Sequence, residues 1–399
     1  MFMINQKMLG LGTKRSAIRE LFEYGRKRKE EIGADKVFDF SIGNPSVPAP
    51  QILTDTLQDL ISNTDPVALH GYTSAQGDAS VRKAIAETEA SRSGCEVDPD
   101  LIYMTCGAAA SLTVSLHALC NPGDEVIVFA PYFPEYRVFV EKAGAVLREV
   151  PCLPGTFQID FAALADAITP RTKALIINSP NNPTGAVIPA EDLRRLGDLL
   201  REKEGDSDSE IYLICDEPYR ALTYDGVEVP YVPSFYARTL VCYSYSKALS
   251  LPGERIGYIL VPPAMPDAKT VYAAVCGAGR ALGFVCAPAL MQYAVAKCGD
   301  ATADVSVYAR NRKLLSEALT EMGYSITPPD GAFYLFVKAL EADAAAFCEK
   351  AKEFELLLVP SDSFGVKGYV RISYCVSTQQ IENSLPAFRA LYESYRKKD

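Results

Sequence analysis

The chain has 399 residues, with 40 basic against 50 acidic side chains and a formal charge of −10. A hydrophobic content of 48% supports a large buried core and excludes intrinsic disorder. The acidic balance argues against nucleic acid as the main partner, because phosphate binding needs a basic face. No apolar run approaches the roughly 18 residues of a membrane span. Residues 1–16 lack the basic flank and apolar stretch of a signal peptide, so a cytoplasmic protein is expected.

In chain order, residues 13–32 read as a charged helix. Apolar runs at 101–105, 125–129, 174–178, 211–215, 240–243 and 257–261 read as strands, with helices at 109–119 and 190–204 between them. On the second helix Leu193, Leu196, Leu199 and Leu200 share one face. Gly205 stands where a C-terminal cap belongs, opening a polar turn at 205–210. Short apolar strands alternating with helices predict an α/β domain, a mostly parallel sheet covered on both faces. Beyond Pro262 the pattern changes. Helices are expected at 287–297, 303–322 and 343–352, strands at 331–337, 356–359 and 369–374, and a closing helix from Gln379. That is the pattern of a smaller α+β domain.

The rare residues narrow the chemistry. Two histidines, His70 and His117, leave no zinc site built on several imidazoles and no recognisable Ser-His-Asp relay. The eleven cysteines contain no C-x-x-C pair and read as small buried hydrophobes in a reducing compartment. No G-x-x-x-x-G-K-[ST] run supports a nucleotide site. Any catalysis must come from Lys, Asp, Tyr, Arg and a borrowed cofactor.

The unusual residues gather at strand ends. Gly107-Ala108-Ala109 closes one strand and opens a helix, where free N–H groups and the positive end of the helix dipole suit a phosphate. By itself such a glycine marks only a turn. Asn178 to Gly185 is a rigid turn that can also fix an amide toward a ligand. Asp216 ends an apolar strand and needs a partner if buried, with a local cap as the plain alternative. Most lysines are solvated surface residues, but Lys247 follows Tyr243-Ser244-Tyr245-Ser246 at another strand end. Just beyond it, Gly253 and Gly257 bracket Arg255 and leave an anion room to approach. In an open α/β sheet these features would meet in the crevice beyond the carboxyl ends of the strands.

With these residues in order, the chain resembles the fold-type-I, class I/II pyridoxal-phosphate-dependent aminotransferases, of the aspartate aminotransferase kind. The matching residues are Gly43, His70-Gly71-Tyr72, Gly107-Ala108, Pro131-Tyr132-Phe133, Asn182-Pro183-Thr184-Gly185, Asp216-Glu217-Pro218-Tyr219, Ser244-x-Ser246-Lys247, Arg255-x-Gly257-Tyr258 and Arg371. They span nearly the whole chain, and the Ser-x-Ser-Lys run with its downstream Gly-x-Arg-x-Gly is the most specific of them.

The resemblance implies a large cofactor-binding domain at 49–285 and a small domain made of 1–48 and 286–399. It implies that Lys247 carries pyridoxal 5'-phosphate as a Schiff base and moves the substrate α-proton. Asp216 would keep the pyridine nitrogen protonated, so that the ring withdraws electrons. Tyr219 and Asn182 would donate to the phenolic oxygen, and Phe133 would stack on the ring. The N–H groups of Gly107, Ala108 and Ala109 would hold the phosphate with Ser244, Ser246 and Arg255. Tyr72 would reach it from the neighbouring subunit of a homodimer. Arg371 would grip the substrate α-carboxylate with its two-pronged fork, Gly43 leaving room for it and Asn182 lying close.

Two positions depart from the family pattern. Many aspartate-type relatives carry a Lys at the place of Ala109, which puts a dicarboxylic preference in doubt and makes Arg280 a candidate substitute cation. Ser361 stands where Gly is usual. The expected function is amino transfer between an L-amino acid and a 2-oxo acid, with a carbon–sulfur lyase on the same scaffold as the alternative. A non-catalytic sensing domain is disfavoured by the intact catalytic set.

Overall fold

The computed structural model describes residues 4–13, 17–207 and 210–396. Residues 14–16 of the first expected helix and 208–209 of the polar turn lie outside the described residues. The chain forms two compact units, one of Pro45–Val305 with Asp330–Ala332, the other of Met1–Asn44, Ser306–Pro329 and Phe333–Asp399.

The larger unit is built on a seven-stranded sheet. Its strands lie side by side in the order Ile102–Thr105, Gly257–Leu260, Thr239–Ser244, Tyr212–Asp216, Thr172–Asn178, Glu125–Ala130, Val146–Pro151. The last five run parallel, and Gly257–Leu260 is antiparallel to both its neighbours. Six of the strands are almost wholly buried, which is why they read as continuous apolar runs and not as alternating ones. One face packs Ile102, Met104, Val241, Tyr243, Tyr258 and Leu260 against Leu53, Leu60, Ile85 and Met291. At the other end of the sheet, Ile127, Phe129, Leu175, Ile177 and Leu213 meet Leu193, Leu196 and Leu200. The helix Ala108–Leu119 lies on the central strands, Ser111 donating to the carbonyl of Tyr258 at 3.3 Å.

Register explains where the polar residues go. Asn178 pairs with Asp216, Asp216 with Cys242, Ser244 with Gly257, and Gly257 with Thr105. Because Gly257–Leu260 runs backwards, its first residue stands level with the last residues of its neighbours.

Several expectations change in detail. The helix at 190–204 runs on through Ala190–Ser207, so Gly205 lies inside it and is no cap. The strand Val146–Pro151 escapes detection because it is the outer edge of the sheet and mostly exposed. Helices Gln51–Asn63 and Ala79–Ser93 are also additional, the second capped by Asp78 and closed by Gly94 at φ 67. The expected division after residue 285 falls instead after Val305, because the helix Ala289–Cys298 packs on Gln51–Asn63 and Ala79–Ser93 of the larger unit.

The smaller unit has a four-stranded antiparallel sheet in the order Val359–Pro360, Tyr369–Ser373, Tyr334–Lys338, Ile326–Thr327. Its strand 331–337 starts late, since Gly331 bridges to Thr223 in the larger unit's own fold. Phe38–Asp39 pairs in parallel with Leu356–Leu357. Ser361, at a position where the expectation was glycine, is fully buried and accepts from the amide of Tyr369 at 3.1 Å, which ties down the turn before that strand.

Candidate active site

At the carboxyl edge of the large sheet, Asp216 is 5% exposed. Its backbone carbonyl accepts from Asn178 Nδ2 at 2.8 Å, and its Oδ2 accepts from the Tyr136 hydroxyl at 2.6 Å. Oδ1 is buried with no protein partner. Burial pushes this carboxyl up to about 7. The Tyr136 hydrogen bond opposes that rise, and neighbouring Glu217 adds to it. A carboxylate held in this state is an acceptor waiting for a donor or a cation.

Asn178 joins two of the expected residues, since its Oδ1 also accepts from the amide of Asn182 at 2.7 Å. One side chain thereby sets the backbone of Asp216 and of Asn182 together. Tyr219 is buried, and Lys247 Nζ lies 5.9 Å from the centre of its ring. Lys247 is half-buried on the short helix Tyr245–Ala248, whose first amides are capped by Ser244 Oγ accepting from the amide of Ser246. The two serine hydroxyls are 2.7 Å apart, and Arg255 Nη1 reaches Ser246 Oγ at 3.5 Å.

Glycine is required at two places here. A Cβ on Gly107, which has φ 84, would stand 2.9 Å from Arg255 Nη2. One on Gly257 would stand 2.3 Å from the carbonyl of Tyr243 and 3.2 Å from Gly107 Cα. Gly253 meets nothing, so the close approach depends on Gly257 and not on the bracket of two glycines. Arg255 is exposed, Ala108 half-buried and Ala109 exposed at the start of Ala108–Leu119. Phe133 is half-buried and stands edge-on to Tyr136, ring centres 5.6 Å apart.

The larger unit thus brings together Gly107, Ala108, Asn182, Asp216, Tyr219, Ser244, Ser246, Lys247 and Arg255. Tyr72 is 99% exposed in a loop after Pro66–His70, and Arg280 is exposed on Ala268–Leu282. Arg371 and Gly43 belong to the smaller unit. There the Arg371 guanidinium is 2% exposed, donates to the carbonyl of Ser41 at 2.6 Å and lies over the Tyr334 ring. The space a side chain at 43 would need holds the Tyr334 hydroxyl, so Gly43 and Arg371 share one aromatic neighbour.

Sequence reasoning missed the residues that support this arrangement. Tyr136 is one, and the bonding of the Asn178 amide to both Asp216 and Asn182, a residue the sequence placed only in a rigid turn, is another. A third is Arg220, buried beside Tyr219, which bonds to Glu89, to Glu217 and to the Tyr258 hydroxyl and lies 3.8 Å from the centre of the Tyr243 ring. Burial works to raise the Glu89 carboxyl, yet Arg220 and Arg92 hold it below the usual carboxylate range. His117, by contrast, is occupied, with Nδ1 2.8 Å from the carbonyl of Thr113. All eleven cysteines are free thiols.

The donor set fits a pyridine ring bearing a phosphate: a buried acceptor without a partner, a sheltered amine, and an open glycine turn facing an arginine. Fold and site together define a fold-type-I α/β enzyme. The fold superposes on the crystal structure of an aminotransferase from Eubacterium rectale with TM-score 0.97 and 56% identity, covering 99% of this chain and 100% of that one. On the aspartate aminotransferase of Thermus thermophilus with maleate the TM-score is 0.85 at 28% identity, over 98% of this chain and 100% of that one.

Residues 35–388 match the family model of aminotransferase class I and II, and the chain belongs to that family. It is 30% identical over 387 residues to aromatic-amino-acid aminotransferase 2 of Thermococcus litoralis, covering 93% of this chain and 94% of that protein. It is 35% identical over 326 residues to the aspartate/prephenate aminotransferase of Thermus thermophilus, covering 79% and 82%. The protein is an aminotransferase, and these likenesses do not favour the lyase alternative.

Proposed function

We propose that the protein binds pyridoxal 5'-phosphate at the carboxyl edge of its large sheet and moves an amino group from an L-amino acid with a neutral or aromatic side chain to a 2-oxo acid. The observation that carries this reading is the buried, unpartnered Oδ1 of Asp216 at the same sheet edge as Lys247 and the glycine turn. When bound, the cofactor supplies an electron sink for the bonds at the substrate α-carbon. Lys247 is assigned its covalent attachment and the transfer of the α-proton. Asp216 is assigned the pyridine N–H, Tyr219 and Asn182 the phenolic oxygen, and Phe133 the face of the ring.

The N–H groups of Gly107, Ala108 and Ala109, with Ser244, Ser246 and Arg255, are assigned the phosphate. Arg371 is assigned the substrate α-carboxylate, with Gly43 and Asn182 as further substrate-binding residues. Tyr72, an aromatic ring almost wholly in solvent, supports a homodimer in which it meets the partner's phosphate group. Eleven free thiols suit a reducing compartment such as the cytoplasm, and among the described residues no helix is long and apolar enough to cross a membrane.

Ala109 supports the substrate reading, since it offers no cation to a second carboxylate. One relative is named for aromatic amino acids and another for aspartate and prephenate, so donors of both kinds belong in the test. Purified protein incubated with pyridoxal phosphate should gain visible absorbance that borohydride fixes to Lys247, and Lys247→Ala should lose both. Wild-type protein that stays colourless would end the proposal. A donor panel with 2-oxoglutarate, on wild type and Arg280→Ala, reads the specificity. Strong aspartate preference surviving Arg280→Ala would overturn the substrate class.

A further inference from the structure

Tyr136 is 1% exposed, and its ring is held by two aromatic neighbours, Phe133 edge-on at 5.6 Å and Tyr132 near-parallel at 6.5 Å. It sits in the first turn of the helix Glu135–Lys142, and its hydroxyl ends on Asp216 Oδ2. The Asp216 main chain is fixed independently by Asn178. The carboxyl therefore presents two unlike oxygens, one bound to a hydroxyl and one buried and open.

We propose that Tyr136 is a positioning residue that decides where the single proton shared by Asp216 and the cofactor's pyridine nitrogen resides. This rests on the assignment of Asp216 to that nitrogen. A carboxyl and a pyridine in contact hold one proton between them, on the oxygen or on the nitrogen. A hydroxyl donating to Oδ2 favours the ionised carboxylate and so drives the proton onto the nitrogen. The other groups around this carboxyl do not do so. Burial and Glu217, the next residue beyond the strand, favour the neutral acid, and Cys242 on the adjacent strand is itself a buried thiol. Burial, then the Asp216 charge, hold the Tyr136 phenol well above its ordinary value, so it stays a donor across the working range. Among the described residues, Tyr136 is thus the one donor from a neighbouring element that opposes the desolvation of Asp216.

Tyr136→Phe removes the oxygen and keeps the ring between Phe133 and Tyr132, so folding can be checked by near-ultraviolet circular dichroism and Tm. Two readouts separate a proton-placing role from a structural one. In cofactor-free protein carrying 13C-labelled aspartate, with the Asp216 signal assigned by Asp216→Asn, the titration midpoint should rise by about one unit or more in Tyr136→Phe. In protein loaded with 15N-labelled pyridoxal phosphate, the nitrogen shift should move from the protonated toward the neutral position. Tyr136→His, which restores an N–H donor in an aromatic ring, should recover part of both changes.

An unchanged midpoint and an unchanged 15N shift in a folded Tyr136→Phe protein would overturn the proposal. If wild type fails to bind the cofactor at all, the reading of the site falls instead, and the 13C titration still tests the Tyr136–Asp216 coupling by itself.

Discussion

Asp216→Asn should make the cofactor-free protein more stable at alkaline pH while making the enzyme worse. The wild-type carboxyl is raised from 3.8 to about 7 in the folded state, because burial penalises its charge. A group whose folded pKa is raised binds its proton more tightly folded than unfolded. The stability it contributes is therefore complete below the unfolded value and is lost as pH climbs toward the folded one. At about 1.4 kcal/mol per unit, a shift of some three units costs about 4 kcal/mol once the pH exceeds 7. Asparagine keeps the shape and does not titrate, although its buried amide carries a fixed penalty of about 1–3 kcal/mol for an unmatched donor.

The pH-dependent part separates cleanly from that fixed penalty. Urea unfolding of both cofactor-free proteins should show the variant gaining about 3 kcal/mol on wild type between pH 5 and pH 8.5. With pyridoxal phosphate at about 100 times the wild-type Kd the gap should narrow, since binding adds about 2.7 kcal/mol to wild type and less to a variant that holds the cofactor more weakly. Turnover should fall about 100-fold or more. A stability difference that does not vary with pH would refute the view of Asp216 as a charge held against its solvation.

Arg220→Met should cost about 3–5 kcal/mol, read as a fall in denaturation midpoint, because it takes the bonded cation from buried Glu217 and leaves buried Glu89 with Arg92 alone; a near-neutral result would mean that water replaces the guanidinium. Gly257→Ala should cost about 2–3 kcal/mol and weaken cofactor binding, measured by fluorescence titration, since its Cβ meets the Tyr243 carbonyl at 2.3 Å. Normal affinity would show that the strand pair can shift without disturbing the phosphate turn. Arg371→Lys keeps the charge and loses the fork, so kcat/KM should fall together for aspartate, alanine and phenylalanine; a change confined to one donor would place Arg371 at the side chain.

What the sequence made legible follows from what each residue interacts with. The central strands could be read because both their faces are buried, which leaves a continuous apolar run. The edge strand Val146–Pro151 could not, because solvent on its outer side mixes charge into the pattern. Lys247, Asp216 and Arg255 stood out because small or rigid residues flank them in the chain itself. Tyr136, Asn178 and Arg220 did not, because each acts on a partner brought near only by the sheet. Tyr136 does carry a faint signal, lying three residues after Phe133 and so on the same side of the helix start. Asn178 stood in a recognised turn, but nothing local says that its amide spans two strands. The later domain boundary was missed for the same reason, as the apolar face of Ala289–Cys298 does not name the helices it covers.

The strand Ile102–Thr105 finds its neighbour in Gly257–Leu260, and Ser111 reaches the Tyr258 carbonyl across 147 residues of chain. The glycine turn and Arg255 therefore meet only after the residues between them have been made. A nascent chain shorter than that has no such turn, and opening of this edge of the sheet separates the two. If the proposed cofactor binds at this edge, its supply acts on the protein twice, once on activity and once on stability, because a ligand held only by the paired edge favours the closed molecules over the open ones.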